Sequence, residues 1–401
     1  MGTTLMATLD RSKVRIALLR LTDSAPVIMA DALGLFAHAG LDVEISIEPS
    51  WANVADKLSY GLVDCAVMLP PLAFAIALGL RGPKAEVIVP ITLSTGGNSL
   101  TFTRDVATQI ADEAKVKDGA VPDALALGRG FAKWLSGRAS RGGPPRLGIV
   151  HVFSTHNLLL RYWLAASGIN PDEDVELVVV PPAQTVEALA ERRIIGFCAG
   201  APWGKLAAEA GLARPVLPGS AIWLQHPEKC LAVSARFAEK NPQRLDALLG
   251  ALLAGGRYCE TPANTQNIAG QVAETFSLPE SAVVSSLPGA PPEPGVDRSH
   301  FFDHAINFPW RSQAYWFLIQ MARWGWLEQD TDLIEVAARV YQPDLYAKAA
   351  AAAGLAIPLA DWKPEGGHEE EWSVAAAPQP IAMMSDRFCD GKILIAPAGP
   401  A

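Results

Sequence analysis

Gly61-Leu62-Val63-Asp64-Cys65-Ala66-Val67-Met68-Leu69-Pro70-Pro71 reads as a turn, a short buried strand and the opening of a helix. Glycine and aspartate punctuate the turn, and the apolar run that follows has the length of a strand. The two prolines fall in a first helical turn, where a missing N–H is no loss. A similar succession recurs at Gly196-Phe197-Cys198-Ala199-Gly200, followed by Pro202-Trp203. Two such units in matching places predict two α/β lobes with a cleft between them, where a ligand is expected to sit and a hinge to move.

Outward from the first unit, Val14–Leu19 reads as a strand, and Thr22-Asp23-Ser24-Ala25-Pro26 as a turn capping a helix over Val27–Ala37. Leu41, Val43, Ile45 and Ile47 alternate as a strand does, a helix runs from Trp51 to about Tyr60, another covers Leu72–Leu80, and Val87–Leu93 is a strand. This alternation implies parallel sheets, with ligands at the carboxyl ends of strands near helix N-termini.

From about Gln109 to Pro145 the chain is rich in glycine and charge around a predicted helix at Gly130–Ser136. The second unit then offers strands at Leu147–Val152 and Val175–Val180, the latter ending in Pro181-Pro182-Ala183-Gln184, and a helix at Thr185–Glu191. The later half reads as mainly helical. Tyr315, Leu318, Ile319, Ala322 and Trp326 are spaced to form one apolar helix face, most simply a core-packing one. Ala349–Pro380, rich in alanine, proline and glutamate, predicts a loosely ordered wrap.

Composition narrows the function. Half of the 401 residues are apolar and 19% are charged, enough for a large core. Thirty-three basic against 42 acidic residues leave a net charge of −9, which argues against a nucleic-acid binder but not against a locally positive anion pocket. Cys65, Cys198, Cys230, Cys259 and Cys389 are widely spaced, without a CxxC pair, and suggest neither a disulfide framework nor a zinc site. No apolar run is long enough to span a membrane. Enzyme motifs are missing, and Gly128-Arg129-Gly130 lacks the third glycine of a nucleotide loop. The expectation is binding without catalysis and without a cofactor.

Several stretches together resemble the nitrate and bicarbonate binding proteins of ABC transporters. They are Pro49-Ser50-Trp51-Ala52-Asn53-Val54, Thr95-Gly96-Gly97-Asn98, the segment Ser154-Thr155-His156-Asn157-Leu158 through Ala166, and Gln225-His226-Pro227-Glu228-Lys229. Val180–Gln184, Cys198–Trp203, Phe308–Gln313 and Met321–Gly325 add support. The likeness covers roughly residues 14–345 and is greatest to the cytoplasmic nitrate/nitrite sensor branch of that family, the NasS type. It implies a periplasmic-binding-protein-like fold of type II: lobe 1 from residues 13–98 and 222–345, lobe 2 from 99–221, and a C-terminal extension over 346–401.

Carried over residue by residue, the resemblance implies that Trp51, Asn98, His156 and Lys229 surround the ion; Asn157, Gln184 and Trp203, the last an interlobe wall, are candidates for the layer behind them. The family more often has glutamine where Asn98 stands. The chemistry suits nitrate, a planar monoanion and weak acceptor that needs one positive charge and several donors. Lys229 supplies charge, His156 an N–H near a helix start, Asn98 its NH₂, and Trp51 an indole N–H or a wall. Taken singly, Lys229 reads as a solvated surface lysine, His156 as a helix cap, Trp51 as core, Asn98 as a turn residue and Gln184 as a loop pin. Met1–Lys13 offers no apolar core of an export signal. The expectation is therefore a cytoplasmic sensor that binds nitrate or nitrite and thereby releases an RNA-binding antiterminator of the NasT type. The alternative is the receptor of a nitrate or bicarbonate ABC transporter.

Overall fold

The computed structural model describes residues 13–115, 123–138 and 143–395. Of Met1–Lys13, on which the export-signal expectation rests, residues 1–12 lie outside them, as do parts of the glycine- and charge-rich stretch and the end of the extension.

In chain order the main strands are β1 (Lys13–Leu18), β2 (Asp42–Ile47), β3 (Cys65–Met68), β4 (Val87–Gly96), β5 (Asn98–Thr103), β6 (Arg146–Ile149), β7 (Glu176–Val179), β8 (Gly196–Gly200), β9 (Ala213–Pro218), β10 (Pro227–Ser234) and β11 (Ser299–His300). They form a six-stranded sheet in the order β11-β4-β10-β3-β1-β2 and a five-stranded sheet in the order β7-β6-β8-β5-β9. The expectation of purely parallel sheets is corrected. β1 runs parallel to β2 and β3, but β10 is antiparallel to both β3 and β4, and β5 is antiparallel to β8 and β9. The antiparallel strands are those next to the two crossings between sheets.

The first crossing is Gly96-Gly97. Both take positive φ, and a Cβ on Gly96 would lie 2.0 Å from the Arg298 carbonyl oxygen, one on Gly97 2.4 Å from Ser299 Oγ. Only glycine fits there. The chain returns through Gly219–Gln225 into β10. One apolar cluster runs continuously from Ala17 and Trp51 through Trp163 and Trp203 to Trp223 and Phe388, so both sheets share a core. A second packs Val14, Ile16 and Leu18 of β1 against helices Pro242–Glu260 and Thr265–Phe276.

Local expectations fail at identifiable places. The helix expected over Val27–Ala37 is Ala25–Ala32, interrupted where Gly34 turns left-handed, and no side chain caps it. A helix at Arg104–Ala114 was not anticipated, and Gly130–Ser136 proves to be the end of a longer helix, Ala124–Ser136. In helix Arg311–Arg323 the buried residues include Ala314, Trp316, Phe317, Leu318 and Met321, whereas Tyr315 and Ile319 are half-buried and Ala322 is exposed. The expected stripe is therefore not the packed face. The wrap at Ala349–Pro380 is ordered: helix Pro343–Ala352 leads into two small antiparallel ladders, Ile357–Pro358 with Ala376–Ala377 and Trp372–Val374 with Ile381–Met383. A buried cluster fixes it, with Lys363 Nζ 2.6 Å from Glu365 Oε2 and 3.6 Å from Asp386 Oδ2. Among the described residues no helix is long and apolar enough to cross a membrane.

Candidate anion-binding site

Lys229 sits in β10, in the middle of the first sheet, and is completely buried. Its register with β4 shifts on both sides, between Pro227 and Lys229 and between Lys229 and Cys230. Successive side chains on a regular strand point to opposite faces, and a bulge re-aims one of them. Here the irregularity lets Glu228 and Lys229 reach the same point, with Lys229 Nζ 2.5 Å from Glu228 Oε1.

Other elements close around this pair. Asp23, in the turn after β1, places Oδ2 2.7 Å from Lys229 Nζ. Trp51 opens helix Trp51–Ser59, whose cap is Ser50, and its ring centroid lies 5.4 Å from Lys229 Nζ. Asn98, first residue of β5, donates through Nδ2 to Glu228 Oε2. His156 is the second residue of helix Thr155–Ala166 and brings Nε2 to 3.3 Å from Glu228 Oε1. The cap of that helix is Ser154, whose Oγ accepts from the Asn157 N–H at 3.0 Å, so His156 is free of the capping role. Gly200 forms part of the wall: a Cβ there would lie 3.4 Å from both Asp23 Oδ2 and His156 Nε2. Behind Glu228, His226 Nε2 lies 3.1 Å from Asp297 Oδ2.

Trp51, Asn98, His156 and Lys229 are thus brought together, all at 0–1% exposure. The indole N–H of Trp51, Asn98 Oδ1 and both ring nitrogens of His156 find no hydrogen-bond partner. Buried polar atoms without partners are costly, and a cluster of them marks a place built for a polar guest. The other candidates stand back. Asn157 donates to the Val152 carbonyl at 2.8 Å and pins the approach to its helix. Gln184 and Trp203 line a separate surface cavity with Leu19, Arg20, Pro49 and Pro182.

Electrostatics are dominated by burial. It pushes the Asp23 carboxyl up to about 6, against the pull of Lys229, with Glu228 adding to the rise. Burial also pushes His156 down to about 3, so its ring is neutral at physiological pH. Burial would raise Glu228, but His156, Lys229 and His226 outweigh it and hold the carboxyl below its usual range. Burial would likewise lower Lys229, and Asp23 and Glu228 reverse that, keeping the ammonium charged. The cage is one cation between two carboxylates, ringed by neutral donors.

Sequence reasoning did not single out Asp23, Glu228, His226 or Asp297. Glu228 lay inside a quoted motif, next to Lys229; Asp23 was taken for part of a helix cap. A carboxylate at the carboxyl end of a first strand is the signal that was available for Asp23.

Residues 7–273 match the NMT1-like family. The chain is 30% identical to the nitrate/nitrite binding protein NrtA of Synechococcus elongatus, over 87% of this chain and 80% of that one. It is 32% identical to the bicarbonate transport ATP-binding protein CmpC of the same species over 86% of its own length, but spans about half (50%) of that relative. Among solved structures, the periplasmic nitrate-binding protein NrtA from Synechocystis superposes with a TM-score of 0.78 at 24% identity, covering 95% of each chain, which establishes the periplasmic-binding-protein-like fold.

Proposed function

The chain belongs to the NMT1-like family, and from that premise we propose that it binds nitrate or nitrite between its lobes as the solute-binding component of an anion importer. The observation that carries this reading is the fully buried Lys229, set among unpartnered donors of Trp51 and His156, whose helices follow strands of different sheets. A planar monoanion can accept from Lys229 Nζ, the Trp51 indole and a neutral His156 N–H at once. The names of the nitrate- and nitrite-binding relatives support the ligand, and the transport relatives support an import role. The role asks for binding and release, not chemistry. Because the cage is sealed, the lobes must part to admit the ion, a hinge motion.

A second reading is the cytoplasmic sensor, releasing an antiterminator of the NasT type when the anion arrives. The feature it would draw on is a strap from the C-terminal extension that joins the His156 helix to Trp223. Phe388 packs against Tyr162 of the His156 helix and against Trp223, and Tyr162 Oη donates to Asp390 Oδ1 at 2.7 Å. A surface composed of both lobes and this strap would change shape on closure. Such a partner and the ion would antagonise each other by the same factor.

A thermal-shift series tests the ligand. Nitrate or nitrite should raise the melting temperature with concentration by mass action, and chloride should not. An identical response to chloride would remove the oxyanion reading.

A further inference from the structure

An anion entering the cage meets a site that is already negative. Lys229 is its cation, and Asp23 Oδ2 and Glu228 Oε1 lie 2.7 and 2.5 Å from Nζ, all three side chains buried. The remaining groups facing Asp23 add no positive charge. His156, from helix Thr155–Ala166, is neutral. Asn98 of β5 and Trp51 of helix Trp51–Ser59 carry none; His226 stands behind Glu228, with Nε2 3.1 Å from Asp297 Oδ2. With both carboxylates ionised the group is −1, and a bound monoanion would make it −2 without solvent to screen it.

We propose that capture of an oxyanion at Lys229 is coupled to uptake of one proton by Asp23, so that the site takes nitrate or nitrite as an anion with a proton. This rests on the oxyanion reading above. In the step, Asp23 Oδ2 gives up Lys229 Nζ, takes a proton from solvent and becomes an O–H donor to the anion. Lys229 turns the freed N–H to the incoming oxygen. No other bond forms or breaks.

Asp23 is the carboxylate suited to this. Its Oδ1 has no hydrogen-bond partner, whereas Glu228 holds Asn98 Nδ2 and Lys229 and lies close to His156. Burial has already brought Asp23 to about 6, near the working pH, while Glu228 is held low. The coupling also separates ligand classes. Nitrate and nitrite arrive without a proton and must draw one from solvent. Bicarbonate carries its own O–H, which donates to the Asp23 carboxylate with no uptake.

The test is calorimetric titration of the chain with sodium nitrate at several pH values between 6 and 8.5, in buffers of differing ionisation heat. The expected result is uptake of about one proton per nitrate above pH 7 and an affinity that falls about tenfold per pH unit. Asp23→Asn should bind nitrate with an affinity independent of pH. Should that variant not fold, the wild-type proton count decides alone. Nitrate binding with no proton uptake and no pH dependence would overturn the coupling and leave the functional reading standing. Silence with nitrate at every pH would overturn both.

Discussion

His156 Nε2 lies 3.3 Å from Glu228 Oε1, yet His156 follows a strand of the five-stranded sheet and Glu228 belongs to the six-stranded one. Together with the bond from Asn98 Nδ2 to Glu228, this places a polar contact between elements of the two sheets inside the candidate site.

Glu228→Gln should therefore tighten nitrate binding. The amide keeps a hydrogen bond to Lys229 while removing a charge that repels the ion. A gain on the order of 1–3 kcal/mol is expected, the scale of a hydrogen bond to a charged group. Competition titrations of nitrate against chloride would check it, and weaker binding by the variant would assign Glu228 a direct ligand-holding role.

His156→Ala should weaken nitrate binding by about 1.5–3 kcal/mol. The loss is that of a neutral donor, because burial holds the ring near 3. Imidazole resonances of His156 should therefore show no titration between pH 5 and 8. The sign for stability follows: a folded value below the unfolded 6.5 gives stability that is present above that pH and lost as pH falls toward 3. Titration of the ring near 6.5 would contradict the assignment.

Asp23 has the opposite sign. Its folded value is raised from 3.8 to about 6, so its stability contribution is complete below the unfolded value and lost as pH rises through the folded one. Ligand-free Asp23→Asn should match the wild type in denaturant midpoint near pH 3.5 and exceed it at pH 8 by ~1–3 kcal/mol. Equal midpoints at both pH values would show that the carboxylate is not strained by its surroundings.

The C-terminal strap makes a separate prediction. Tyr162→Phe removes the bond to Asp390 and should lower stability by ~1 kcal/mol. Emission from Trp223 and Trp316, which pack around Phe388, should report the loosening. An unchanged unfolding midpoint would mean the strap is held by ring packing alone.

Legibility in the sequence followed the range of the interactions. Trp51, Asn98, His156 and Lys229 were legible only through the family resemblance of the stretches that hold them; read singly, each had an ordinary structural explanation. What could not be read was non-local. β10 hides behind a proline and a short run, Cys230-Leu231-Ala232-Val233, that suits a helix as well as a strand. Helix Arg311–Arg323 is buried on more than one side, so its periodicity misidentified the packed face. The extension reads as loose because its order depends on Lys363 meeting Glu365 and Asp386, and on the Trp223 indole donating to Asp386 at 3.0 Å. Asp23 and Lys229 are more than 200 residues apart in sequence, and nothing local in Thr22-Asp23-Ser24 distinguishes a helix cap from a buried counter-ion.

The most direct measurement is calorimetric titration of nitrate into wild-type protein and into Lys229→Met, with circular dichroism confirming that the variant is folded. The account predicts a one-to-one binding heat for the wild type and none for the variant, because methionine fills the volume without the charge. Binding by Lys229→Met at wild-type strength would contradict the assignment of this cage as the anion site.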